Sequence, residues 1–154
     1  MLGLVICFFL GCAPVFSESI IKKSGHVSLK EMQLEPEKHL GQVVILGGTI
    51  VKVIEGNQLE VIQRPLGYRM EPEVNDQTDG RFIVQFNQTI DIYRFPQGRK
   101  ITVAAEVVGT TIRPLDQINY VYPLLRVREY HVWPAKAETS FPDLHFSFGF
   151  MGTY

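Results

Sequence analysis

Residues 42–54 read QVVILGGTIVKVI, thirteen positions of β-branched and apolar character around the diglycine Gly47-Gly48. Side chains of this kind fit a pleated, half-buried surface. A diglycine inside a strand offers nothing to pack and marks a bulge or a sharp bend, so a long strand bent here can serve two sheets at once. Outward from it, Glu55-Gly56-Asn57 supplies a turn, and residues 58–64 (QLEVIQR) place Leu59 and Val61 on one face, so the pair reads as a hairpin. Residues 65–80 form a polar loop with Pro65 and Pro72. Residues 81–86 are a short strand, and 87–99 a connector carrying Ile90, Ile92, Tyr93 and Phe95. Residues 100–109 (KITVAAEVVG) are a clear strand, 110–119 turn the chain, and 120–133 are the last strand.

Five strands in a meander, the first bent on glycines and a longer connector between the third and fourth, predict a mainly β fold. The expected form is a small OB-like five-stranded antiparallel β-barrel. A flat antiparallel sandwich is the alternative. A short N-terminal helix is expected within residues 28–40: Ser28 and Glu31 have the spacing of a capping box, Leu29, Met32 and Leu34 form a short apolar stripe, and Pro36 limits its length.

Charge and cysteine content exclude whole classes of function. With 15 basic and 16 acidic groups and a formal net charge of −1, the chain lacks the cationic excess that displaces counterions from nucleic acid, so no nucleic-acid partner is expected. Both cysteines, Cys7 and Cys12, lie in the first twelve residues, which leaves the remainder no internal disulfide and no thiolate zinc site. His26, His39, His131 and His145 are scattered without the spacing of a ligand pair. The carboxylates show no acid/base motif, and no Ser, Thr or Cys occupies a nucleophile elbow. The expectation is a non-enzymatic protein without catalytic residues, metal or cofactor.

Residues 1–12 read MLGLVICFFLGC, too short an apolar run to cross a bilayer as a helix, which takes about 20 residues. The run has the length and composition of a signal-peptide h-region and passes at once to Pro14 and polar residues. Phe9-Leu10-Gly11-Cys12 resembles a bacterial lipobox, in which a small residue precedes a cysteine that takes up lipid and becomes the new N-terminus. A thiolate is the competent nucleophile for that modification. Cys7 follows the bulky Ile6, so Cys12 is the expected lipidation site. Each buried methylene adds about 0.8 kcal/mol and one chain binds only marginally, so three acyl chains hold a protein essentially permanently. The expected division is 1–11 signal peptide, 12–27 lipidated tether, 28–134 β-barrel domain and 135–154 aromatic-rich C-terminal tail. In that tail Phe146, Phe148 and Phe150 alternate against Ser147 and Gly149, the pattern of a strand presenting one aromatic edge.

Gly41, Gly47-Gly48, Pro65-Leu66, Gly80-Arg81-Phe82, Gly98-Arg99 before Ile101-Thr102-Val103, Gly109, Tyr122-Pro123 and Trp133, standing in this order behind the lipobox, resemble the Slp family of starvation-inducible outer membrane lipoproteins. The resemblance covers residues 9–134. It implies a lipoprotein of the bacterial outer membrane associated with starvation or stress; the expectation drawn from the whole sequence is a lipid-anchored, periplasm-facing domain with a structural or binding role. Its partners would be outer membrane lipid, through acylated Cys12, and an envelope protein or glycan. It implies no catalytic residues.

The last strand carries the candidate ligand face. Tyr120, Tyr122, Leu124, Arg126, Arg128 and Tyr130 share one parity, with Val121, Leu125 and Val127 on the other. Aromatic rings interleaved with arginines suit glycan, peptidoglycan or an anionic lipid head group. The plainer reading is an outer face of cross-strand pairs. Arg81 and Arg99, each following a glycine, would form a basic rim or pair with nearby acids such as Asp79.

Overall fold

The computed structural model describes residues 14–135. Its elements are α1 (Glu18–Lys23), β1 (Ser24–Gly25), α2 (Leu29–Leu34), a 3-10 turn at Pro36–His39, β2 (Val43–Ile54), β3 (Gln58–Arg64), β4 (Arg81–Gln85), a 3-10 turn at Ile92–Arg94, β5 (Lys100–Leu115) and β6 (Ile118–Val132). The fold is mainly β, with one six-stranded sheet in the order β1-β2-β3-β4-β6-β5, and β5 returns to pair with β2. Five strands, β2 to β6, therefore form a ring, and β1 adds a two-residue parallel pairing to β2.

The ring closes because β2 has two partners. Its first half, Val43 to Thr49, pairs with β5, and its second half, Gly47 to Ile54, pairs with β3, so the diglycine lies where the two ladders overlap. The glycines are required here by space. A Cβ on Gly48 would lie 2.3 Å from the carbonyl oxygen of Ile62 and 2.4 Å from Cγ1 of Val61, and one on Gly47 would lie 2.2 Å from Cδ2 of Leu66. β2 serves both ladders of a single sheet, where the sequence suggests two sheets, and its register shift lies between Ile50 and Lys52 rather than at the diglycine.

Two further expectations are corrected. The strands are not a plain antiparallel meander: β4 pairs with β6 in parallel, Ile83 facing Leu124 and Gln85 facing Arg126, because β5 is carried away to the free edge of β2. The segment 110–119 is not a broad turn either. β5 runs on to Leu115 and β6 begins at Ile118, leaving a two-residue turn with Asp116 at φ 54°. Asp tolerates that left-handed conformation better than most residues, and Gly109 and Pro114 are what make the strand look broken in sequence.

Leu59, Val61, Phe82, Val84, Ile101, Val103, Val107 and Leu125 point inward as one buried cluster. Leu29 and Met32 of α2 complete it, each worth about 1.5–3 kcal/mol on burial. The helix forms where the capping box predicts: the Glu31 backbone N–H donates to Oγ of Ser28 at 3.2 Å, and the Ser28 N–H donates to the Glu31 carboxylate at 2.8 Å. The connector after β4 adds Phe86, Ile90 and Phe95 to the same core.

Residues 14–27, which the sequence presents as a polar tether, carry α1 and β1 and bury Phe16 to 2% exposure and Val27 to 8%. Among the described residues no helix is long and apolar enough to cross a membrane.

Candidate functional site

Cys12 and the aromatic stretch 141–154 lie outside the described residues, so the site is built from what flanks them. From Phe16 on, the chain is docked on the domain. Phe16 is buried, and Ser17 donates its backbone N–H (2.9 Å) and its hydroxyl to the Glu129 carboxylate on β6. The hydroxyl bond, then the backbone bond, holds the Glu129 carboxyl below its ordinary value. The sequence does not announce this contact, because Ser17 and Glu129 are 112 positions apart.

The five residues of the candidate ligand face are brought onto one strand but do not share one surface. Tyr122 is 2% exposed and donates its hydroxyl to Glu60 on β3 at 3.2 Å. Burial and then the Glu60 charge push its phenol pKa up. Tyr120 packs edge-on against Tyr122 with centroids 4.7 Å apart, and its oxygen accepts from the Arg81 backbone N–H and from Nε2 of Gln33, each at 3.0 Å. Tyr130 meets Phe86 and Phe95, with ring centroids at 5.4 and 5.5 Å. Arg128 is paired with Glu106. Arg126 is exposed and enters no ion pair among the described residues.

A β-bulge explains the split. Glu129 faces Ala104 and Val127 faces Ala105, so Arg128 is the extra residue and strand parity changes across it. Period-two reading assumes an unbroken ladder. Beyond the bulge Tyr130 turns to the phenylalanines of the core while Tyr122 lies on the other face of β6.

Tyr122 belongs instead to a polar cluster that the sequence conceals. The Glu60 carboxylate is buried and receives Arg81 at 2.6 Å and Lys52 at 3.6 Å in addition to Tyr122. Arg113, on the far end of β5, donates to Gln58 at 2.9 Å and pairs with Glu55 at 3.0 Å. The extended β5–β6 hairpin thus ties down the turn between β2 and β3. Gln58 and Glu60 read in sequence as outward-facing polar positions; they are buried with partners from the hairpin (Arg113 and Tyr122) and, for Glu60, also from β2 and β4. Arg81 finds Glu60 rather than Asp79, and among the described residues the Arg99 guanidinium reaches the Trp133 carbonyl, at 3.5 Å.

Among the cavities that the described residues form, three stand out on the surface. One of about 410 Å³ lies along the 67–74 loop beside Lys100, and one of about 400 Å³ lies between residues 25–27, β2 and Arg64 to Leu66. The largest of the three, about 580 Å³, is lined by Pro14, Val15 and Ile21 of the N-terminal segment, Tyr68, Arg69 and Met70 of the loop, and His131 and Trp133 at the end of β6. Trp133 is fixed there by its indole N–H, which donates to Oγ1 of Thr102 at 2.9 Å, and by edge-on contact with His131 at 4.5 Å. Among the described residues no group of three His, Cys, Asp or Glu is placed to hold a metal ion.

An uncharacterized protein of Haemophilus influenzae is 33% identical over 105 residues, a stretch that covers 66% of this chain and 57% of the relative. The chain thus spans a little over half the length of that relative. No solved structure matches. The family model described as outer membrane lipoprotein Slp family matches residues 9–151. That match takes in Cys12, all five strands of the ring and most of residues 135–154, and the chain belongs to the outer membrane lipoprotein Slp family.

Proposed function

We propose that the protein is a non-enzymatic lipoprotein held in the bacterial outer membrane by acylated Cys12, its domain facing the periplasm, with a starvation- or stress-related structural role in the envelope. The observation that carries this reading is the coincidence of the family match over residues 9–151 with a cysteine behind an apolar leader and a small residue. Three acyl chains at about 0.8 kcal/mol per buried methylene give an anchor that needs no membrane-spanning element.

The domain reads best as an OB-type barrel. In support, the ring strands counted from β2 run first-second-third-fifth-fourth and back to the first, with one parallel pair between third and fifth. In such barrels the outer face of the second and third strands and the loops around it take ligands. Here the corresponding positions, Gln58 and Glu60, are engaged by Arg113 and Tyr122 of the same chain. A chain whose own side chains engage these positions fits presence in the envelope better than ligand exchange. The second reading, binding of glycan, peptidoglycan or anionic lipid along Tyr120, Tyr122, Arg126, Arg128 and Tyr130, is favoured at Arg126, where an exposed guanidinium has no ion-pair partner among the described residues.

Cell fractionation tests the first reading. Wild-type protein is expected in the outer membrane fraction and Cys12→Ser in the soluble periplasmic fraction. Recovery of both in the soluble fraction overturns it.

A further inference from the structure

The N-terminal segment leaves very little slack between lipid and domain. Phe16 is buried and Ser17 is bonded to Glu129, so only residues 13–15 separate Cys12 from a fixed side chain. An extended chain covers at most about 3.6 Å per residue, which puts Phe16 within about 14 Å of Cys12 and Pro14 within about 7 Å. The headgroup layer on each side of a bilayer is itself about 5–7 Å deep. If Cys12 carries the lipid, the surface around Pro14 has no room to turn away from the leaflet.

That surface is the rim of the largest of the three cavities, and its chemistry suits an interface. Tyr68 stands fully out at 104% exposure on the loop opposite Pro14. Trp133 is the chain's single tryptophan, and its ring lines the same groove. Tyr and Trp are the residues favoured at headgroup depth, where an apolar ring and a polar edge are both satisfied. Arg69, exposed between Tyr68 and Met70 and outside the ion pairs of the described residues, places a cation among them for lipid phosphate. Val74, 81% exposed, extends the apolar character along the same loop.

We propose that the groove between Pro14, Tyr68, Arg69 and Trp133 is the membrane-facing surface of the domain, seated on the phospholipid headgroups of the leaflet that holds the anchor. The proposal rests on the lipid-anchor reading. It adds an orientation: the docked N-terminal segment works as a short leash that presents one face to the lipid and directs the β5–β6 hairpin, at the opposite end of β6 from Trp133, away from it.

Trp133 reports on this directly. Full-length acylated protein is reconstituted into vesicles of phosphatidylethanolamine and phosphatidylglycerol, with and without bromine on the acyl chains near the glycerol. Flotation reads the anchor and Trp133 emission reads the orientation. The proposal predicts flotation together with about a twofold loss of emission in brominated vesicles, as for a ring at the interface. Inserting a flexible Gly/Ser linker of about 20 residues before Pro14, with a reach of roughly 25 Å, should keep flotation and relieve most of the quenching. Flotation with unquenched Trp133 overturns the orientation and leaves the anchor standing. Failure to float overturns both. If Trp133 is shielded from aqueous iodide without vesicles and is exposed by deletion of residues 136–154, the C-terminal segment fills the groove and the proposal falls.

Discussion

Ser17 donates both its backbone N–H and its hydroxyl to the carboxylate of Glu129, joining the first described residues of the chain to the last strand of the ring. This single acceptor, with Phe16 buried beside it in sequence, turns what looks like a tether into part of the domain.

The contact is pH-dependent with a definite sign. The Ser17 bonds lower the Glu129 pKa from its ordinary 4.5, so their contribution is present above that value and is lost as pH falls through the lower, folded value. The Ser17 amide proton resonance is expected to titrate with a midpoint below 4.5, the ordinary carboxyl value, and the titration should vanish in Glu129→Gln. A midpoint above 4.5, or a titration that persists in the variant, contradicts the contact.

Arg81 neutralises a buried acid. Removing it in Arg81→Ala leaves the Glu60 carboxylate with Tyr122 and the more distant Lys52, a loss expected at about 2–4 kcal/mol in urea unfolding. Tyr122→Phe removes one bond to a charged acceptor and is expected to cost about 1.5 kcal/mol. Because the two side chains share Glu60, the double variant should lose measurably less or more than the two single losses added. Strict additivity would show that the cluster is not coupled.

Gly48 is set by close approach of β3. Gly48→Ala pushes a methyl into the Ile62 carbonyl and Val61, and overpacking against backbone is expected to cost about 2–3 kcal/mol. Gly25→Ala meets nothing within 4 Å and serves as the neutral comparison. Equal melting temperatures for the two variants would contradict the ring's closure at this point.

The strands that β2 organises are legible in the sequence because their patterns are local. The hairpin through Gly56 and the Ser28/Glu31 box each depend on neighbours a few positions apart, and each stands where expected, whereas the register shift of β2 falls between Ile50 and Lys52, just past the diglycine. What the sequence hides is long-range. The bulge at Arg128 exists only relative to Ala104 and Ala105 on β5, and without it Tyr130 is assigned to the face of Tyr122. The burial of Glu60 depends on Arg81 and Tyr122, which come from two other strands. The docking of Ser17 depends on Glu129, 112 positions away. A polar stretch with no period carries no local sign of these contacts, since one buried ring and one serine suffice to make them.

The lipid anchor is the claim on which the envelope role and the membrane-facing groove both stand. Radiolabelled palmitate incorporation tests it at the residue concerned: label is expected in the wild-type protein and absent from Cys12→Ser, and equal labelling of the two would contradict the account.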